Sequence, residues 1–153
     1  MSLKVIRLLT VTLFEPQIPP NTGNIARLCG ANYIKLDLVG DIGFDMKDRY
    51  LKRAGLDYWE HIDWEYFPNL GEYCNSVFKY NFHLLTTKSK TSYTDRVYRS
   101  NDYIIFGSET AGISEKILNF LNIFLTFIAS RVDSGLSLWS TIKNFGENFF
   151  FIE

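Results

Sequence analysis

Two rhythms of hydrophobic and polar positions alternate along this chain, and together they predict a repeating strand–helix order. Val5 to Phe14 is β-branched and apolar, which predicts a buried first strand. Asn21 to Ala31 predicts a first helix, and the alternation over Ile34 to Gly40 predicts a second strand. Asp45 is placed to cap a short helix through Ala54, closed by Gly55. Ile62 to Phe67 reads as a short strand. Asn69 to Tyr80 reads as a helix with Leu70, Tyr73, Val77 and Tyr80 on one face. Phe82 to Thr87 and Tyr103 to Gly107 are further strands, and Ser114 caps a helix from Glu115. The order predicts an α/β fold, a mainly parallel sheet with helices on both faces. No repeat or linker interrupts it before about residue 128, so one domain is expected over residues 1–153.

Composition narrows the class. The chain has 153 residues, enough for one α/β core. At 46% hydrophobic and 22% charged, it is neither disordered nor built for a membrane. Lys plus Arg is 16 and Asp plus Glu 17, a net charge of -1, without the basic excess usual for a nucleic-acid binder. Only a local basic patch is left to do that work. Cys29 and Cys74 form no CxxC pair, and His61 and His83 add no ligand spacing. Two buried thiols, no disulfide and no metal site are expected. No small-residue cleavage site follows the N-terminal apolar run. The longest apolar stretch, Ile117 to Ala129, contains Asn119, Asn122 and Thr126 and is shorter than the ~20 residues of a spanning helix. A cytoplasmic protein without a membrane segment is the expectation.

Three strand exits carry the chemistry. The first is Pro19-Pro20-Asn21-Thr22-Gly23-Asn24-Ile25-Ala26-Arg27, a rigid loop running into a helix. Gly23 permits close backbone approach there, and the helix-start amides point at whatever docks. Arg27 is expected about one turn into that helix, facing the same site. The others are Leu84-Leu85-Thr86-Thr87-Lys88 and Gly107-Ser108-Glu109-Thr110-Ala111-Gly112. Ligands of open α/β sheets lie beyond such strand ends. Neither glycine loop has GxGxxG spacing, no P-loop Lys follows a GxxxxG, and no Ser sits in a GxSxG elbow. Dinucleotide, triphosphate and serine-hydrolase chemistry therefore lack support.

The first and third of these segments, the Leu85-Thr86-Thr87-Lys88 run, and Leu51-Lys52-Arg53-Ala54-Gly55-Leu56-Asp57-Tyr58-Trp59 resemble the SPOUT-class RNA 2′-O-methyltransferases. The likeness runs from about Leu9 to Leu118 and is nearest to the small single-domain bacterial tRNA (cytidine/uridine-2′-O)-methyltransferases of the TrmL type. The resemblance implies a C-terminal trefoil knot, an exception to ordinary chain paths. It implies S-adenosylmethionine as cofactor, a homodimer whose two subunits build each site, and the anticodon stem-loop of tRNA as partner. The activity implied is 2′-O-methylation of the wobble nucleotide, a cytidine or modified uridine. Carried over, Arg27, Asn24 and Glu109 are the catalytic candidates. Leu85, Thr86, Gly107, Gly112, Ile128 and Ser137 are the cofactor contacts. Arg27, Lys52, Arg53 and Lys88 are the RNA contacts. Arg27 stays protonated, so orienting RNA and neutralising phosphate suit it better than proton abstraction. Tyr58, Trp59, Trp64 and Tyr66 are expected to pack a core or a dimer seam rather than stack on bases.

From about residue 127 the pattern departs. Ser130 to Ser140 carries Ser137 where the family has Asn, and Trp139 where it has Ser. Thr141 to Asn148 puts charge, Asn and Gly146 where a buried helix is apolar, and Phe149 to Ile152 leaves an apolar tail that needs cover. Two readings account for this. The chain is a diverged member whose tail still packs, or a reading-frame change has replaced the tail. The alternative function is a catalytically impaired RNA-binding knot protein with a disrupted cofactor pocket.

Overall fold

The computed structural model describes residues 9–45, 59, 61–77, 80–87, 92–115, 117–119 and 150–152. Strand β1 (Leu9–Phe14) pairs in parallel with β2 (Lys35–Val39) on one side and with β5 (Asp102–Phe106) on the other. Strand β3 (Trp64–Phe67) lies beyond β2, β4 (Phe82–Leu85) beyond β5, and β6 (Phe150–Ile152) beyond β4. The order is β3-β2-β1-β5-β4-β6, with all these pairings parallel. Helix α1 (Pro19–Ala31) covers one face, setting Ala26 and Cys29 into a cluster with Leu13, Leu36 and Leu38. Helix α2 (Leu70–Val77) covers the other, where Tyr73, Cys74 and Val77 meet Phe14, Val39, Leu84 and Ile105. The parallel sheet covered on both faces is thus as the sequence predicts.

Three local results differ from the sequence reading or sharpen it. Helix α1 starts at Pro19, not Asn21, so both prolines lie inside its first turn. Their fixed φ and missing N–H suit that position, where an amide has no helical acceptor anyway. Helix α2 is bracketed by Asn69, whose Oδ1 accepts from Glu72 N–H at 2.9 Å while its Nδ2 donates to Glu72 Oε1 at 2.6 Å. The apolar tail supplies a sixth strand, registered His83 opposite Phe150. The expected helix from Asp45 to Ala54, and the departing segment from 127 to 149, lie outside the described residues.

A polar row runs through the α2 side of the sheet. Thr12 Oγ1 and Tyr73 OH share a buried hydrogen bond of 2.8 Å. Lys35 Nζ sits 2.6 Å from Glu65 Oε2 and 3.0 Å from Asp37 Oδ1. Asp37 is 0% exposed, and the Lys35 ammonium is the cation that faces it. Burial pushes the Asp37 carboxyl from 3.8 up to about 6, with Glu65 and Asp63 adding to the push and Lys35 opposing it. The folded chain therefore keeps this proton to a higher pH than the unfolded chain does. The stability this adds is whole below about pH 4 and lost as pH rises through about 6, on the order of 3 kcal/mol.

Asp102, at the start of β5, acts in the opposite sense. Burial would raise it, but bonds from His83 Nε2 (2.9 Å), Arg99 N–H (2.8 Å) and Asn81 Nδ2 (3.0 Å) hold it below its usual range. Its contribution persists above that range and fades only in more acidic solution. Urea unfolding is expected to give lower stability at pH 7 than at pH 5, and Asp37→Asn is expected to flatten that difference. A wild-type slope in Asp37→Asn would show that another group carries it.

Candidate functional site

The chain runs from β1 outward to β2 and β3, while β5 and β4 lie on the opposite side of β1. The carboxyl ends of β1 and β5 therefore border a topological switch point, the place where open α/β sheets bind ligands. A cavity of about 510 Å³ opens beside it, at the carboxyl ends of β5 and β4. It is lined by Leu84, Leu85, Thr86 and Thr87 from the end of β4, by Phe106 to Glu109 and Ala111 to Ile113 after β5, and by Leu118. Its size suits a nucleoside-sized ligand.

Gly107 shapes the wall of this cavity. The loop after β5 closes on itself through two backbone bonds, Ser108 N–H to Gly112 O at 2.9 Å and Gly112 N–H to Ser108 O at 2.7 Å. A Cβ on Gly107 would overlap Gly112 C and O and Ile113 N, all backbone atoms. Gly112 takes φ +65°, with open space where its Cβ would be. The first glycine permits a close approach and the second a left-handed turn.

A second pocket, about 290 Å³, shares Phe106, Gly107 and Glu109 with the first and adds Leu13, Pro16, Asn21, Asn24 and Ile25. Glu109 joins the two loops that frame it. Its Oε2 accepts from Gln17 N–H at 2.8 Å and its Oε1 from Asn21 Nδ2 at 3.4 Å. Gln17 Nε2 in turn donates to Glu15 O at 2.8 Å and Asp41 O at 3.3 Å. An acidic side chain just ahead of α1 also complements the positive end of that helix.

Arg27 lies elsewhere. Because α1 begins at Pro19, Arg27 comes about two turns into the helix, not one. It is turned about 120° around the axis from Asn21, at about 100° per residue. It lines a separate groove of about 440 Å³ with Gly30, Ala31, His61 and Ile62. One chain thus brings Asn24 and Glu109 together, while Arg27, one turn beyond Asn24 and about 60° from it around the axis, lines a separate groove.

Of the other expected contacts, Leu85, Thr86, Gly107 and Gly112 all line the large cavity. Ile128, Ser137, Lys52, Arg53 and Lys88 lie outside the described residues. Asn21 and Gln17 were missed by the sequence reading; Asn21 stands inside the quoted motif and was the readable one. Cys29 and Cys74 are free and buried, and burial pushes their thiols up to about 11 and about 12. They are therefore packing groups and not nucleophiles. Among the described residues no group of three His, Cys, Asp or Glu gathers to hold a metal, and no helix is long and apolar enough to cross a membrane.

A covered parallel sheet with a nucleoside-sized cavity at its strand ends, and an adjoining pocket that carries Asn21, Asn24 and Glu109, is the framework of a ligand-binding α/β protein. Comparison with known proteins makes it specific: residues 8–134 match the SpoU rRNA Methylase family, and the chain belongs to that family. A tRNA (cytidine(34)-2′-O)-methyltransferase from Yersinia pestis is 42% identical over 120 residues, covering 74% of this chain and 74% of its own length. One of the same name from Methylovorus glucosotrophus is 39% identical over 107 residues, covering 70% of each chain. A solved structure bearing on the 2-OH methylation of C/U34 on tRNA superposes with a TM-score of 0.70. It is 32% identical and covers 74% of this chain and 75% of that one.

Proposed function

We propose that this chain is an S-adenosylmethionine-dependent tRNA 2′-O-methyltransferase that modifies the wobble nucleotide of the anticodon, at position 34. Cytidine and uridine are both within its scope, and it acts in the cytoplasm as a homodimer with a knotted C-terminal segment. The observation that carries the reading is the contiguity of the two pockets through Phe106, Gly107 and Glu109. A methyl donor held in the larger pocket would adjoin a ribose held in the smaller one. Relatives with the same name and similar length support the choice of substrate.

The cavity fits the cofactor. The overlap that bars a Cβ at Gly107 keeps its wall as bare backbone, and Leu85, Thr86 and Gly112 supply apolar and backbone surface around an adenosine. Bound there, S-adenosylmethionine supplies a methyl group already activated by its sulfonium. The chain's own task is alignment and charge control. Glu109 ties the loop at Gln17 to Asn21 in the first turn of α1, so the ribose would meet a pre-set edge of Asn21, Asn24 and Glu109. The Arg27 guanidinium, a planar set of N–H donors, serves to anchor phosphate. Exposed apolar side chains flank it on α1 and just beyond, with Leu28 64% and Tyr33 85% exposed. They fit a subunit seam, with Arg27 presented to the partner's pocket.

Calorimetric titration with S-adenosylhomocysteine, followed by methylation of tRNA transcripts, tests this reading. Micromolar binding and methyl transfer to position 34, abolished in a transcript with 2′-deoxyribose at that position, is the expected result. A folded protein that binds no S-adenosylhomocysteine would overturn it in favour of an impaired RNA-binding protein.

A further inference from the structure

The groove between α1 and the segment leading into β3 has no role in holding cofactor or in joining the loops around Glu109. Its floor is small: Gly30 and Ala31 form one wall, and a Cβ on Gly30 would press on Ile62 Cγ1 at 3.0 Å. Its rim carries Arg27 from the helix and His61 from the opposite bank, both exposed. Trp64 follows on the same bank. It is 37% exposed, and its ring stands edge-on to buried Trp59 with centroids 4.7 Å apart. A small-floored groove of about 440 Å³ with an arginine on one lip and a histidine on the other suits an anionic strand. In a chain of net charge -1, affinity for a polyanion comes from local groupings of phosphate donors, of which this is one.

We infer that this groove is an RNA subsite, in which Arg27 and His61 grip a phosphodiester of the substrate tRNA beside the methylated nucleotide. The inference rests on the proposed function and extends it by adding His61 as an RNA-contacting residue.

The test uses the full chain and unmodified tRNA transcript, with affinity read by fluorescence anisotropy across a salt series. S-adenosylhomocysteine binding and sedimentation serve as controls for folding and oligomeric state. His61→Ala is expected to weaken tRNA binding about fivefold, the scale of one exposed phosphate contact, and His61→Glu by more than about tenfold. His61→Lys, which puts an N–H donor for phosphate back on the same lip, is expected to restore wild-type affinity. If His61→Ala and His61→Glu both bind within twofold of a wild type that itself binds and methylates tRNA, the subsite is wrong and the proposed function stands. If His61→Ala dissociates the protein into monomers, His61 holds the subunits together instead of contacting RNA, and the inference falls. Wild-type protein that binds no tRNA would overturn the proposed function and this inference together.

Discussion

Gly107→Ala is expected to abolish cofactor binding, lowering affinity for S-adenosylhomocysteine by about 100-fold or more and removing methyl transfer with it. The added methyl would overlap backbone atoms of Gly112 and Ile113, which no rotamer change can move aside. Relief requires the loop to open, at the cost of the bonds at 2.9 and 2.7 Å between Ser108 and Gly112. Overpacking of this kind costs about 1–3 kcal/mol even where side chains can adjust, and 1.4 kcal/mol is tenfold in binding. Gly112→Ala is the contrast. Its φ of +65° disfavours a side chain by about 1–2 kcal/mol, yet open space surrounds the position. It is expected to lower stability modestly and to keep micromolar binding. Calorimetry on both variants, with thermal unfolding alongside, separates the two. Gly107→Ala binding within threefold of wild type would show that the loop is not the cofactor wall.

That contrast also marks how far the sequence was readable. Both glycines stand out because they punctuate an apolar strand exit, and that local signal placed Gly107 and Gly112 at a site. It does not distinguish them, since one answers to a neighbour five residues on and the other to its own backbone angle. Strands were readable for the same local reason: alternation in Ile34 to Gly40 and β-branching before Phe14 bury one or both faces. Their order was not, because each pairing joins segments distant in sequence. The Glu109 clamp is the sharpest case. Its two partners lie 92 and 88 residues away, so nothing near Glu109 announces Gln17 or Asn21. The start of α1 was misplaced by two residues because Pro19-Pro20 reads as a loop. Proline ends helices but also opens them, and only the cap geometry decides between the two. The tail, read as an apolar stretch in need of cover, gains a place as β6 only once β4 is known to be its neighbour.

Arg27→Ala is expected to lower kcat/KM for tRNA by about 1,000-fold, the scale of losing a charged group that anchors the reacting strand and steadies developing charge. The geometry makes a sharper demand. Asn21, Asn24 and Glu109 line one pocket, while Arg27 lines a separate groove farther along the same helix. If Arg27 completes the site, it completes a partner's site. Two inactive variants should therefore rescue one another. A subunit with Arg27→Ala keeps its pocket, and one with Gly107→Ala keeps its arginine. Each mixed dimer then holds one whole site, made from the first subunit's pocket and the second's Arg27. Random pairing makes half the dimers mixed, so about one quarter of wild-type activity should return in a symmetric dimer. Co-expression with two different affinity tags, and assay of doubly purified mixed dimers, raises that to about one half. Mixed dimers no more active than either parent would place Arg27 in the site of its own chain, reached by a movement of α1.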